Sequence, residues 1–229
     1  MPHVAWATVA CMNVDAFLAE LDGAVQASLA DLGASAAAAE PGPDVGITQL
    51  LVVALKKELE ASDEAALWMT RETDVDVKLA LARQCGDEAK HYRLIEGRLR
   101  ELGVDPVALR PAVDPPTPMF RFLADLGTTV ERVAAGQFTR EALAEVHNRV
   151  FIEYCEAKGD AKTAALYRDV IQPDEGHHHA MGRTLLARLA VTDEAQALAR
   201  AASAKTLAIA GELQEMARLK KGIARAPGC

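Results

Sequence analysis

Two stretches of the chain share one spelling: Asp87-Glu88-Ala89-Lys90-His91 and Asp174-Glu175-Gly176-His177-His178. On a helix, residues three apart lie on the same face, so Glu88 with His91, and Glu175 with His178, each direct a carboxylate and an imidazole at a common point. That is metal-ligand chemistry, and two such pairs predict one metal site shared by two helices. A single Glu-x-x-His means little, because a chain with 33 acidic residues and six histidines produces the spacing by chance.

A mirror relation gives the pair its weight. In a tight antiparallel hairpin, positions equally far from the turn lie at about the same height. Glu58 lies 15 residues before position 73 and Glu88 lies 15 after it; Glu145 lies 15 before position 160 and Glu175 lies 15 after it. Both centres fall on turns marked by capping residues. Four helices are therefore expected to deliver Glu58, Glu88, Glu145 and Glu175 at one level, with His91 and His178 beside them. Four carboxylates and two imidazoles suit a pair of ions such as iron or manganese, or one of each. Without a cation an apolar core could not hold them, since unpaired buried charge is strongly disfavoured.

Other residues group around this set. Asp87 and Asp174 precede the ligand glutamates, and each is placed to orient the histidine of the opposite motif, because metal-bound histidines usually donate their second N–H to a carboxylate. Tyr92 and Cys85 are four after and three before Glu88, so both are candidates to line the site, a packed tyrosine and a small buried thiol being the plainer readings. His179, four residues from Glu175, is a reserve ligand; His177 and His147 are expected to face elsewhere. Glu60 and Glu64 compete with Glu58, and Glu153 and Glu156 with Glu145; the mirror relation favours the named pair. Pro173 frees a carbonyl inside its helix and Gly176 lowers helix propensity, which predicts a bulge or kink beside the ligands.

The elements that must position these groups are helices. Half of the 229 residues are apolar and only 4% are aromatic, so helix formers dominate and the chain is read as all-α. A helix is expected from about Asn13 to Leu32, ended by Glu40-Pro41-Gly42-Pro43. The next begins at about Asp44 or Thr48 and reaches Arg71, and another, capped by Thr73 or Asp74 and closed by Gly103, covers about 74–102. Five prolines from Pro106 to Pro118 exclude a regular helix there. Short pieces at Phe120 to Leu126 and Thr129 to Ala135 end at glycines. Thr139 is the expected cap of a helix to Lys158; Gly159 and Asp160 turn the chain into a helix over about 161–190, and Thr192 caps a last one to about Lys220. The domains read as an N-terminal extension over 1–43, a four-helix bundle over 44–190 with a long crossover over 104–138, and a C-terminal helix and tail over 191–229.

With this order and the quoted motifs in place, the chain resembles the ferritin-like superfamily, in particular its rubrerythrin-like branch, over roughly residues 46–190. The motif stretches look like that group's two metal motifs, with Glu58 and Glu145 at its single-glutamate positions. The resemblance implies a ferritin-like four-helix bundle holding two iron ions that react with dioxygen or peroxide. The leading expectation is a non-haem di-iron oxidoreductase acting on a small organic substrate; the alternative is a ferroxidase whose substrate is ferrous iron. The four cysteines form no Cys-x-x-Cys pair, so no rubredoxin site is encoded and electrons must come from an external donor.

A net charge of −8 argues against a nucleic-acid partner, and Lys220-Lys221 to Arg225 reads as a solvated helix end. The run Val4 to Met12 lacks a basic leader and no segment approaches a membrane span, so a soluble cytoplasmic protein is expected. The Ala-rich face over 197–210 is the basis for expecting a homodimer.

Overall fold

The computed structural model describes residues 13–38, 45–105, 115–223 and 226–228, and all regular structure among them is helical. We number seven helices. They are α1 (Val14–Ala38), α2 (Ile47–Met69), α3 (Val75–Glu101), α4 (Pro118–Ala124), α5, α6 and α7 (Asp193–Lys221). α5 is one rod made of Thr129–Val133, a π-helical turn Ala134–Arg140, and Glu141–Ala157. α6 is likewise Ala161–Leu166, a π turn Tyr167–Ile171, and Gln172–Leu189. The Val4 to Met12 run, Cys11, Glu40 to Pro43, Pro106, Pro111, Arg225 and Cys229 lie outside the described residues. Among the described residues no helix is long and apolar enough to cross a membrane.

Local chemistry accounts for most boundaries. The Asp74 carboxylate accepts the backbone N–H groups of Asp76 and Val77 and starts α3; Asp160 does the same for α6 through Thr163, and Thr192 for α7 through Ala195. The α5–α6 turn closes at Gly159 with φ +76°, a left-handed conformation that a side chain disfavours.

Both boundaries expected near α5 are corrected. Thr139 caps nothing: it lies inside the π turn, buried, and its hydroxyl donates to Ser203 Oγ on α7 at 2.7 Å. Gly136 does not end a helix either. A β-carbon there would lie 2.7 Å from the buried Trp68 ring, so the glycine serves close packing rather than termination. At the other bulge, Pro173 cannot donate to the carbonyl four residues back. The chain shifts register ahead of it, and the Gln172 N–H bonds Tyr167 O, five residues back.

Two helical hairpins, α2–α3 and α5–α6, pack together, with α1, α4 and α7 against one end and side. α7 packs on the π turn of α5 through Ala199, Ala202 and Ser203, while Ala197, Ala201, Ala204 and Ala208 of the same stretch are exposed. Two apolar clusters form. One contains Trp68, Leu81, Phe138 and Leu186; the other contains Leu55, Ile95, Phe151 and Ile171. Every helix of the two hairpins runs from one cluster to the other, and the acidic and histidine residues lie in the layer between them.

Candidate metal centre

Each helix of the hairpins carries mostly apolar residues on its inner face, and the carboxylates and imidazoles that approach one another lie at a common level. On α2 that level is Glu58, between Leu55 and Ala61; on α3 it is Glu88 and His91, on α5 Glu141, and on α6 Glu175 and His178. All six are essentially inaccessible to solvent. Their ligand atoms form two overlapping groups, Glu58–Glu88–His91–Glu175 and Glu88–Glu141–Glu175–His178. In each group the atoms lie within 4.8 Å of one another, a geometry that can hold a metal ion.

His91 Nδ1 is 3.2 Å from Glu58 Oε2, 3.3 Å from Glu88 Oε2 and 3.7 Å from Glu175 Oε1. His178 Nδ1 is 3.2 Å from Glu175 Oε2, 3.6 Å from Glu88 Oε1 and 3.9 Å from Glu141 Oε2. Glu88 and Glu175 belong to both groups, so each sits between the two positions while Glu58–His91 and Glu141–His178 close the ends.

The outward nitrogens are held in the crossed pattern anticipated from the motifs. His91 Nε2–H donates to Asp174 Oδ2 at 3.0 Å, and His178 Nε2–H to Asp87 Oδ2 at 3.3 Å. Lys90, inside the first motif, donates to both aspartates, at 2.6 Å to Asp174 and 3.5 Å to Asp87. Each imidazole is thus fixed with Nδ1 toward the carboxylates. Asp174→Ala is expected to weaken metal binding by about 10–100-fold, with Asp174→Asn, which keeps an acceptor, losing less. Competition against a chromophoric chelator measures both; native affinity in the alanine variant would remove the orienting role.

Glu145 is not part of either group. It is half-buried one turn along the same stripe of α5, with its carboxyl beside Gly176, and Glu141 stands in the layer instead. Equal counting from the turn presumes two regular α-helices. Here a π turn ends just before Glu141 and another separates the Gly159 turn from Glu175, so residue number no longer measures height. The sequence signal for Glu141 was its four-residue spacing from Glu145, which keeps the helix face.

Sequence reasoning also missed the groups that fix Glu141. Its Oε1 accepts Gln84 Nε2 at 2.6 Å and Arg140 Nη2 at 3.2 Å, and Arg140 Nη1 donates to Glu64 Oε2 at 2.6 Å.

The other candidates lie outside the two groups. His179 Nδ1–H donates to Phe138 O at 2.7 Å, satisfying a carbonyl of the π turn. Tyr92 packs in the cluster around Ile95 with the Arg93 guanidinium over its ring, and Cys85 lies against Ser62. Glu60 accepts from Thr117, Glu156 pairs with Arg168, Glu153 is exposed and His177 is exposed.

The electrostatics call for positive charge. Burial, then the neighbouring carboxylates, raises the pKa of Glu88 and raises that of Glu175 further. Burial lifts Glu64 to about 8 despite Arg140. Burial opposes charge on His91, but its hydrogen bonds to Glu58 and Glu88 prevail and hold its proton up to about 11. Glu58 Oε1 and Glu175 Oε1 are buried with no hydrogen-bond partner. Buried oxygens of this kind call for a ligand, and the oxygen and imidazole donors fit hard to borderline divalent ions.

Comparison with protein-family models, with curated proteins and with solved structures finds no match.

Proposed function

We propose that the two hairpins form a ferritin-like bundle whose centre holds two iron ions, and that the protein is a non-haem di-iron oxidoreductase acting on a small organic substrate. One observation carries this reading: two ligand groups overlap through Glu88 and Glu175, so four carboxylates and two imidazoles serve two adjacent positions. Glu58 and His91 would hold one ion and Glu141 and His178 the other. Bound iron would supply the redox chemistry, reducing dioxygen or peroxide with electrons from an external donor as the substrate is oxidised. The chain's own groups prepare the site. Asp87 and Asp174 keep a proton on each outward nitrogen, Gln84 and Arg140 hold Glu141, and the two apolar clusters exclude water.

The ferroxidase reading is weaker on one point. The cavity beside the ligand layer is mainly apolar and the two acidic groups on its wall, Glu60 and Glu64, are engaged by Thr117 and Arg140, whereas a path for ferrous ions would present carboxylates to the ion.

Anaerobic titration with ferrous iron tests the assignment directly. About two ions per chain, followed by dioxygen uptake on exposure to air, is the expected result. One ion or none, or no uptake, overturns it; turnover of many ferrous ions per chain without any organic substrate would favour the ferroxidase.

A further inference from the structure

Beside the metal layer, between α2, α4, α5, α7 and the segment after α7, lies a cavity of about 430 Å³, within the range of small-molecule sites. Its walls are mainly apolar, with Val53, Met119, Phe120, Leu143, Leu213 and Met216 among them and His147 and Gln214 as polar groups. All the charged side chains on the wall except Lys220 are engaged with the protein. Lys56 donates to Pro115 O, Glu60 accepts the N–H and hydroxyl of Thr117, Lys57 donates to the carbonyls of Ala226 and Gly228, and Glu64 pairs with Arg140. Lys220 stands exposed to solvent.

Both end ligands lie one residue behind this wall. Arg140 borders the cavity and donates to Glu141 Oε1 at 3.2 Å. Gly228 borders it too and packs so tightly on Glu58 that a β-carbon would come within 2.7 Å of Oε1.

We infer that this cavity is the substrate site and that its ligand is an uncharged, mainly aliphatic molecule. This rests on the di-iron reading for the word substrate, though not for binding. Interior charges paired with protein offer a bound anion or cation nothing to replace its hydration, which costs several kcal/mol per ion. The apolar surface rewards burial of chain carbon, and Met119 and Met216 adapt to its shape.

Binding of 1-decanol and of decanoate to the full chain, measured calorimetrically with and without ferrous iron, tests the inference. Decanol is expected to bind, with decanoate at least 10-fold weaker. Leu213→Trp, which fills the cavity, should weaken decanol at least 10-fold while thermal stability and ferrous stoichiometry stay native. Met216→Trp is the companion variant, since Met216 is 40% exposed and its wall can accommodate the ring. No decanol binding, equal binding in both variants, or tighter binding of decanoate overturns the proposal. A chain that takes decanol but fewer than two ferrous ions leaves the ligand site standing and removes the di-iron reading.

Discussion

Glu141→Ala is expected to bind one divalent ion tightly per chain, and Glu145→Ala two. Both glutamates lie on one stripe of α5, one turn apart, and each loses the same –CH2–COO− group on substitution by alanine. They differ in where the carboxyl sits. Glu141 Oε2 is 3.9 Å from His178 Nδ1 and its Oε1 is held by Gln84 and Arg140, whereas Glu145 is half-buried beside Gly176. Removing Glu141 takes an end ligand from the His178 position and leaves the Arg140 charge facing that position with no intervening anion, so both coordination and electrostatics oppose the ion there. Loss of an orienting group around a metal lowers affinity about 10–100-fold, and loss of a ligand is expected at or beyond the upper end. The Glu58–His91 position keeps its donors. Ferrous or manganous titration followed by metal analysis reads the stoichiometry. Two tight ions in Glu141→Ala, or one in Glu145→Ala, would restore the count made from the turn.

That contrast also marks what the sequence could express. Glu-x-x-His spacing is a local property of one helix, so both pairs and their crossed aspartates are legible without tertiary information. Caps are equally local, and Asp74, Asp160 and Thr192 take the roles their types imply. The height of a residue relative to another helix is a sum over everything between them, and a single π turn alters it. Pro173 gave warning of the bulge in α6. The bulge in α5 has no such marker, because its freed carbonyl at Phe138 is satisfied by His179 and its close approach to α6 depends on Gly182, where a β-carbon would lie 2.6 Å from the Gln137 backbone. Both partners are more than 40 residues away in the chain, which also explains why Thr139 and Gly136 read as boundaries. The cavity was illegible for the same reason. Its walls come from α2, α4, α5, α7 and the tail, none of which has a pattern that distinguishes cavity lining from ordinary core.

Freed of metal, the chain should lose stability as pH rises, and metal should reverse the trend. The sign follows from which state keeps its protons. Glu64 holds its proton to about pH 8 in the fold, against 4.5 when unfolded, and His91 to about 11, against 6.5; Glu88 and Glu175 are shifted the same way as Glu64. Above the unfolded value of each group, the native state binds a proton the unfolded chain has released, so stability falls by at most about 1.4 kcal/mol per pH unit per group. Glu64 contributes this slope from about 4.5 to 8 and His91 from about 6.5 to 11. Of the groups shifted downward, Asp74, held near 2 first by its Arg188 hydrogen bond, contributes fully above its ordinary 3.8 and is flat in this window, and His177, lowered first by burial, opposes the trend around and below its ordinary 6.5 and little above it. Between pH 6.5 and 7.5 the urea midpoint of the metal-free chain should drop on the order of 1 M. Metal binding replaces the site protons, so affinity strengthens with pH and the loaded chain should hold its midpoint across the same interval. Urea titrations at the two pH values, with chelator and with manganous ion, decide the matter. A metal-free midpoint that stays level or rises would mean that the carboxylates are not buried together as one uncompensated layer, and equal slopes with and without metal would mean that the ion does not bind there.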